Sequence, residues 1–251
     1  MSKQDLIDYV LHLADNNLIL GQRNAEWCGH GPVLEQDIAI TNITLDLVGQ
    51  ARNFYQYASQ LKADGSTEDS LAYLRTEREY KNHLLLELPN GDWGQTILKQ
   101  FLFSQYQYLL YHQLKDSADE VLAAIAIKSL KEITYHLRWS SEWVIRLGDG
   151  TKESHQRMLN AIDELWSYTG EFFEPVSYEL EAENAKLNVD VLKLKEPWLN
   201  KVKEVFAEAT LPMPDKTFMH TGGKNGVHTE HLGYILTELQ YMQRAYPGCE
   251  W

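Results

Sequence analysis

Glu132 and His136 are the pair in this chain whose types and spacing most resemble a metal-binding step. They stand in KEITYH, residues 131–136, midway through a stretch without helix breakers. In four-helix-bundle iron proteins a Glu-x-x-His step projects carboxylate and imidazole from one inward helix face. Two such helices, with a glutamate from each of two others, hold a pair of metal ions. The carboxylates stabilise ferric iron and bridge the ions, and the imidazoles add neutral ligands while leaving positions open for dioxygen. Here, however, Ile133 occupies the position three before His136, and the glutamate lies one step earlier. The residues three positions before the other histidines are Tyr9, Trp27, Tyr80, Leu109, Lys152, Thr217, Asn225 and His228, none of them acidic.

Four acid–histidine pairs do occur at a spacing of four: Asp8/His12, Glu26/His30, Glu79/His83 and Glu132/His136. At that spacing a helix brings the two side chains together for a local contact or hydrogen bond, and spacing alone does not exclude ligation. Residues 93–115 contain no Asp or Glu, so a helix there supplies no inward carboxylate. Elsewhere, TGGKNG (residues 221–226) sets glycines beside Lys224 ahead of a helix, where a phosphate could be held. It lacks P-loop spacing, and a tight turn with a surface lysine is the simpler reading. HTEH (residues 228–231) gathers His228, Glu230 and His231 within one turn. The two histidines could share a helix face and bind a metal, or serve structural hydrogen bonds. Trp27, Trp139 and Trp143 read as packing or interface residues, and no serine or cysteine nucleophile arrangement stands out.

These residues need helices to position them. Residues 95–147 contain neither glycine nor proline, too long for one ordinary helix. Ser117 and Glu120 have capping-box spacing ahead of an apolar run, predicting a helical hairpin with arms over 93–115 and 117–147. Gly148-Asp-Gly150 ends the second arm, whose seam is Leu130, Ile133, Leu137, Val144 and Leu147. Leu6, Val10 and Leu13 mark a first helix ending near Gly29, and residues 34–61 read as a second. Ile38, Ile40, Ile43, Leu45, Leu47, Val48 and Phe54 surround much of that second helix, predicting that it is central and covered on two sides. TEREYKN reads as a short helix, with further helices over 154–173, 191–209 and 228–245 and loops over 174–188 and 211–226. The expectation is an all-α fold, one domain over 1–251, built on a four-helix bundle with additional C-terminal helices.

The bulk properties narrow the partners. A net charge of −13 disfavours nucleic acid or anionic membrane as the main partner. Two cysteines far apart, Cys28 and Cys249, suit a reduced, cytoplasmic chain. The start carries Asp5, Asp8 and Asp15 where a signal peptide needs an apolar run, and no apolar stretch reaches the roughly 20 residues of a membrane span.

The blocks ADNNLILGQRNAEWCGHGPVLEQDIAITNITLDLVGQARNF and TGGKNGVHTEHLGYILTELQYMQRAYPG, with KEITYHLRWSSEW and RLGDGT between them, resemble the C-subunit family of bacterial ring-epoxidising phenylacetyl-CoA monooxygenases. The resemblance runs nearly end to end. It implies a ferritin-like bundle and a role in aerobic phenylacetate catabolism. It also implies a heteromeric complex in which a related A subunit holds the di-iron centre and binds the CoA thioester. A reductase component brings NADPH, flavin and iron–sulfur chemistry, and this chain is implied to hold no cofactor of its own. Catalytic ferritin-like relatives carry strings of the form Asp-Glu-x-Gly-His-Ala and Glu-Glu-x-x-His. Against these, DLVGQA and EITYH place Leu47 where the first has glutamate, Gln50 where it has histidine, and Ile133 where the second has its ligand glutamate, while His136 is kept.

Such exchanges make physical sense, because carboxylates left buried without iron repel one another and cost desolvation. The expected function is a structural, non-catalytic subunit. Two alternatives stand beside it. One is a di-iron oxygenase or oxidase in its own right with unconventional ligands, Glu26, Glu132 and His136. The other is an acyl-CoA-binding or assembly module using the Lys224 turn.

Overall fold

The structure, a computed structural model, describes residues 1–249. In chain order the α-helices are α1 (Lys3–Ala25), α2 (Leu34–Lys62), α3 (Glu68–Tyr73), α4 (Leu84–Glu87), α5 (Trp93–Leu114), α6 (Glu120–Gly148), α7 (Lys152–Leu165), α8 (Ser177–Asn184), α9 (Val191–Glu208) and α10 (Glu230–Ala245). No strand occurs among the described residues, and the fold class is all-α and ferritin-like, with four long helices and additional C-terminal ones. No helix among them is long and apolar enough to cross a membrane. The chain forms two compact units. Unit 1 comprises Met1–Pro89, Val176–Glu181 and the chain from Gly222 onward; unit 2 comprises Asn90–Pro175 and Ala182–Thr221.

Unit 1 is built on the α1–α2 hairpin, with α3, α4 and α10 packed against it. A capping box between Ser2 and Asp5 starts α1. In the turn between the helices the Asp37 carboxylate accepts from Gly31 N at 2.9 Å. Gly31 lies so close to Asp37 that an added Cβ would come within 2.8 Å of its Cα, so only glycine fits there.

Unit 2 is built on the α5–α6 hairpin, with α7 and α9 against it. The Asp92–Gln95 capping box opens α5. The second arm starts later than Ser117: Asp119 is the N-cap and accepts from both Val121 N and Leu122 N, while Ser117 Oγ accepts from Asp119 N. Asp119 wins because its carboxylate satisfies two of the orphan first-turn donors and adds favourable charge at the helix start. The interior is aromatic. Tyr106 stacks on Phe172 with centroids 4.8 Å apart, and Trp198 packs on Phe173 and Trp166 while donating Nε1–H to Leu102 O at 2.9 Å. Trp93 meets Trp139 and Trp143 edge to face, as packing residues would.

Several sequence expectations need correction. TEREYKN forms only a 3-10 turn over Glu77–Glu79, and the short helix lies earlier, at α3. The segment over 154–173 is α7 followed by two 3-10 turns, Trp166–Tyr168 and Gly170–Phe173, with Gly170 packed closely against Met219. Residues 174–188, expected as loop, contain α8. The second helix, α2, is not covered on two sides: Ile38, Leu45 and Val48 are 52%, 65% and 42% exposed.

Candidate functional site

The four positions picked out by the altered metal strings all lie on long helices and all are buried. In unit 1, α2 carries Leu47, fully enclosed, and Gln50, 1% exposed; in unit 2, α6 carries Ile133 and His136, both fully enclosed. Along each helix the spacing of three puts the two residues on one face. Leu47 and Ile133 offer no donor atom. Among the described residues no group of three or more His, Cys, Asp or Glu side chains is placed to hold a metal ion. The donor set of a carboxylate-bridged di-iron centre therefore does not fit these positions. Of the other suspected ligands, Glu26 accepts from Arg23 at 2.8 Å in the last turns of unit 1's first helix, and Glu132 lies on α6 beside Ile133, half-buried.

The C-terminal turn behaves differently from its sequence reading. Lys224 is not a surface lysine: it is 1% exposed, and its Nζ donates to Glu179 Oε1 and Oε2 at 3.0 and 2.9 Å. Its backbone carbonyl accepts from Tyr178 Oη at 3.0 Å. A lysine committed to a buried carboxylate presents no charge to an outside ligand. His228 and His231 do not share a helix face, because Thr229 is the N-cap of α10 and leaves His228 outside it. His228 instead bonds Glu87 Oε2 at 2.8 Å and the Tyr80 carbonyl at 2.9 Å. Glu230 is exposed in the first turn of α10, and His231 is half-buried beside it.

Lys224 and His228 belong to a buried polar cluster assembled from six segments of unit 1. Asp15 accepts from Arg75, from Tyr55 Oη at 2.6 Å and from Lys81 N at 2.8 Å. The Arg75 guanidinium also lies 4.2 Å from the centre of the Tyr80 ring. Glu87, fully enclosed, accepts from Thr229 N at 2.6 Å and Asn82 Nδ2 at 2.9 Å besides His228. His12 donates Nδ1–H to the Lys81 carbonyl at 2.6 Å, and its Nε2 receives Asn16 Nδ2–H at 3.2 Å. Burial, aided by His83 and Lys224, pushes its pKa down to about 3, so it is neutral. Burial likewise holds His83 well below the ordinary imidazole range. This assembly sets Asp15 against Arg75, Glu179 against Lys224 and Glu87 against His228 in the interior.

Sequence reasoning missed Asp15, Glu87 and Glu179, which no local motif marks. It also missed the arrangement of the α2 surface. Leu34, Ile38, Leu45 and Val48 are exposed at steps of four, seven and three, the spacing of a seam that packs on another helix. That periodicity was available in the string. By contrast, the aromatic stretch FLFSQYQYLLYHQL on α5 turns its large rings inward: Phe101, Phe103, Tyr106 and Tyr111 are all at most 1% exposed.

A family model described as "Phenylacetic acid catabolic protein" matches residues 1–251. The chain is 46% identical over 246 residues, covering 98% of its own length and 99% of the relative's, to the C-type subunit of the 1,2-phenylacetyl-CoA epoxidase of Escherichia coli strain K12.

Proposed function

This chain belongs to the phenylacetic acid catabolic protein family, and we propose that it serves as a structural, non-catalytic subunit of a phenylacetyl-CoA epoxidase. Its partner would be the A subunit, which holds the di-iron centre and epoxidises the CoA-activated ring. Reducing equivalents would reach that subunit from NADPH through a separate component. The observation that carries the non-catalytic reading is the burial of Leu47 and Ile133 at the positions where catalytic relatives' strings hold glutamates. Apolar side chains there fill space and remove the mutual repulsion of metal-free carboxylates. On this reading residues 1–251 act as one domain in the complex, at home in the cytoplasm.

The exposed stripe on α2 supplies the partner-facing surface in this proposal. An apolar helix seam at 3.5-residue spacing fits a helix of the A subunit, and a stable heteromeric interface buries more than roughly 1,200 Å² in total. The burial of Lys224 with Glu179 supports a structural role for this turn.

Metal analysis tests the proposal. The chain purified alone from iron-rich medium is expected to carry no stoichiometric iron, and the complex to carry iron in proportion to the A subunit. About two irons per isolated chain, the content of a di-iron site, would make this protein a catalyst in its own right. Leu45→Lys tests the surface: co-purification with the A subunit should fall while the isolated chain melts as before. Undiminished pairing would move the interface elsewhere.

A further inference from the structure

The last part of unit 1 is an arm, residues 222–245, that returns to the N-terminal hairpin. It begins at a hinge of two glycines, Gly222 with φ 136° and Gly226 with φ 74°, conformations that side-chain-bearing residues rarely adopt. Gly223 and Gly226 press on the segment before α4, where an added Cβ would meet the carbonyls of Asn82 and Arg78 at 2.2 and 2.3 Å. Beyond the hinge, His228 is the first side chain to hold the arm down, with 3% of it exposed.

We propose that His228 is a proton-gated latch, pinning the arm to the hairpin as an imidazolium that bridges Glu87 and the Tyr80 carbonyl, and loosening it when the proton leaves. Both ring nitrogens face oxygens, at 2.8 and 2.9 Å. A carbonyl only accepts, and Glu87 is likewise used as an acceptor, taking Thr229 N–H on Oε1 and Asn82 Nδ2–H on Oε2. A neutral imidazole has one N–H and can satisfy only one of these acceptors; the imidazolium has two. Once deprotonated, one nitrogen lone pair faces an oxygen, and Glu87 keeps its charge without a counter-ion on the arm.

The surrounding charges agree. Glu87 faces His228 from α4 and Asp15 from α1, with Arg75 bound to Asp15; Lys224 on the arm is neutralised by Glu179 from α8. His83 and His12 nearby are held neutral. Burial works against the charge on His228, but the hydrogen bond and charge of Glu87, the Tyr80 carbonyl and Asp15 outweigh it and raise its pKa. A group raised on folding contributes stability that is present in full below its unfolded pKa. That contribution is lost as pH rises through the folded value. The latch is therefore shut on the acid side and loosens with alkali.

The experiment follows the full chain by NMR of the histidine ring nitrogens and by native-state hydrogen exchange, corrected for intrinsic rates. His228 should still be doubly protonated at pH 6.5, and protection of α10 should fall roughly tenfold or more across its titration, while α6 in unit 2 stays unchanged. Glu87→Gln should move the His228 titration to lower pH, and His228→Gln should abolish the step in α10. A neutral His228 at pH 6, or α10 protection that tracks α6 throughout, overturns the proposal. The unmodified chain alone decides between these outcomes, whether or not either variant folds.

Discussion

The two compact units solve the problem of a stable interior with different chemistry. Unit 1 buries the pairs Asp15–Arg75, Glu179–Lys224 and Glu87–His228 along with two neutral histidines. Unit 2 fills its interior with rings, Tyr106, Phe172, Phe173, Trp166 and Trp198, and pairs such as Arg157–Glu153 and Lys201–Glu204 lie on its surface. The contrast has exceptions in both directions, since Lys99 and Glu171 are buried in unit 2 and Phe54 in unit 1. Aromatic packing tolerates any pH but depends on shape. Buried charge pairs demand the right partner at the right place, and removing one member leaves the other stranded. Unit 1 therefore trades robustness for specificity of docking, which suits a region assembled from segments far apart in the chain.

Acid should expose the difference most strongly. His12 is held to about 3 by burial, with His83 and Lys224 adding to the effect, whereas an unfolded imidazole titrates near 6.5. Between pH 6.5 and 3 the unfolded chain takes up a proton that the folded one refuses, so stability falls as pH falls. The fall reaches up to about 4–5 kcal/mol for this group alone. Chemical denaturation at stepped pH should show a flatter acid-side slope in His12→Gln than in the parent.

Lys224→Met should cost ~3–5 kcal/mol by leaving Glu179 charged and buried, while Glu179→Leu with Lys224→Met should recover most of that loss. Urea denaturation of the single and double variants gives the comparison. If the double variant stays as unstable as the single one, the pair contributes more than docking specificity. In unit 2, Trp198→Ala should cost a comparable ~3–5 kcal/mol, with a penalty that stays constant from pH 5 to 8 in thermal melts. A pH-dependent penalty would blur the contrast between the units. The smallest effect belongs to the α6 cap, where Asp119→Ala should lose about 1 kcal/mol and fray the first turn in hydrogen exchange.

The long helices were legible because their signals are local. Breaker-free runs, apolar periods and caps mark α1, α2, α5 and α6 to within a few residues, and the one displaced start reflects two neighbouring capping residues, Ser117 and Asp119. The short elements were not. In α8, SYELEAEN carries almost no amphipathic signal, and it is helical because Tyr178 and Glu179 have tertiary partners to meet. The positions singled out by similarity to metal-binding strings, Leu47, Gln50, Ile133 and His136, are all buried, as apolar side chains such as Leu47 and Ile133 favour. Lys224 misled because a lysine beside glycines looks solvated until a distant glutamate comes into view. Ion pairs between positions such as 87 and 228, or 179 and 224, leave no period in the string.

The division of unit 1 between the two ends of the chain also orders events during synthesis. Its hairpin leaves the ribosome early, but Lys224 and His228 follow only after the whole of unit 2 has been made. At roughly 5–20 residues per second this is a delay on the order of ten seconds. Throughout that interval Glu87 has no His228 to meet, and its carboxylate is better off in water than enclosed. A nascent chain can thus complete the aromatic unit first and close the ionic one only after the segment from Gly222 onward has been made.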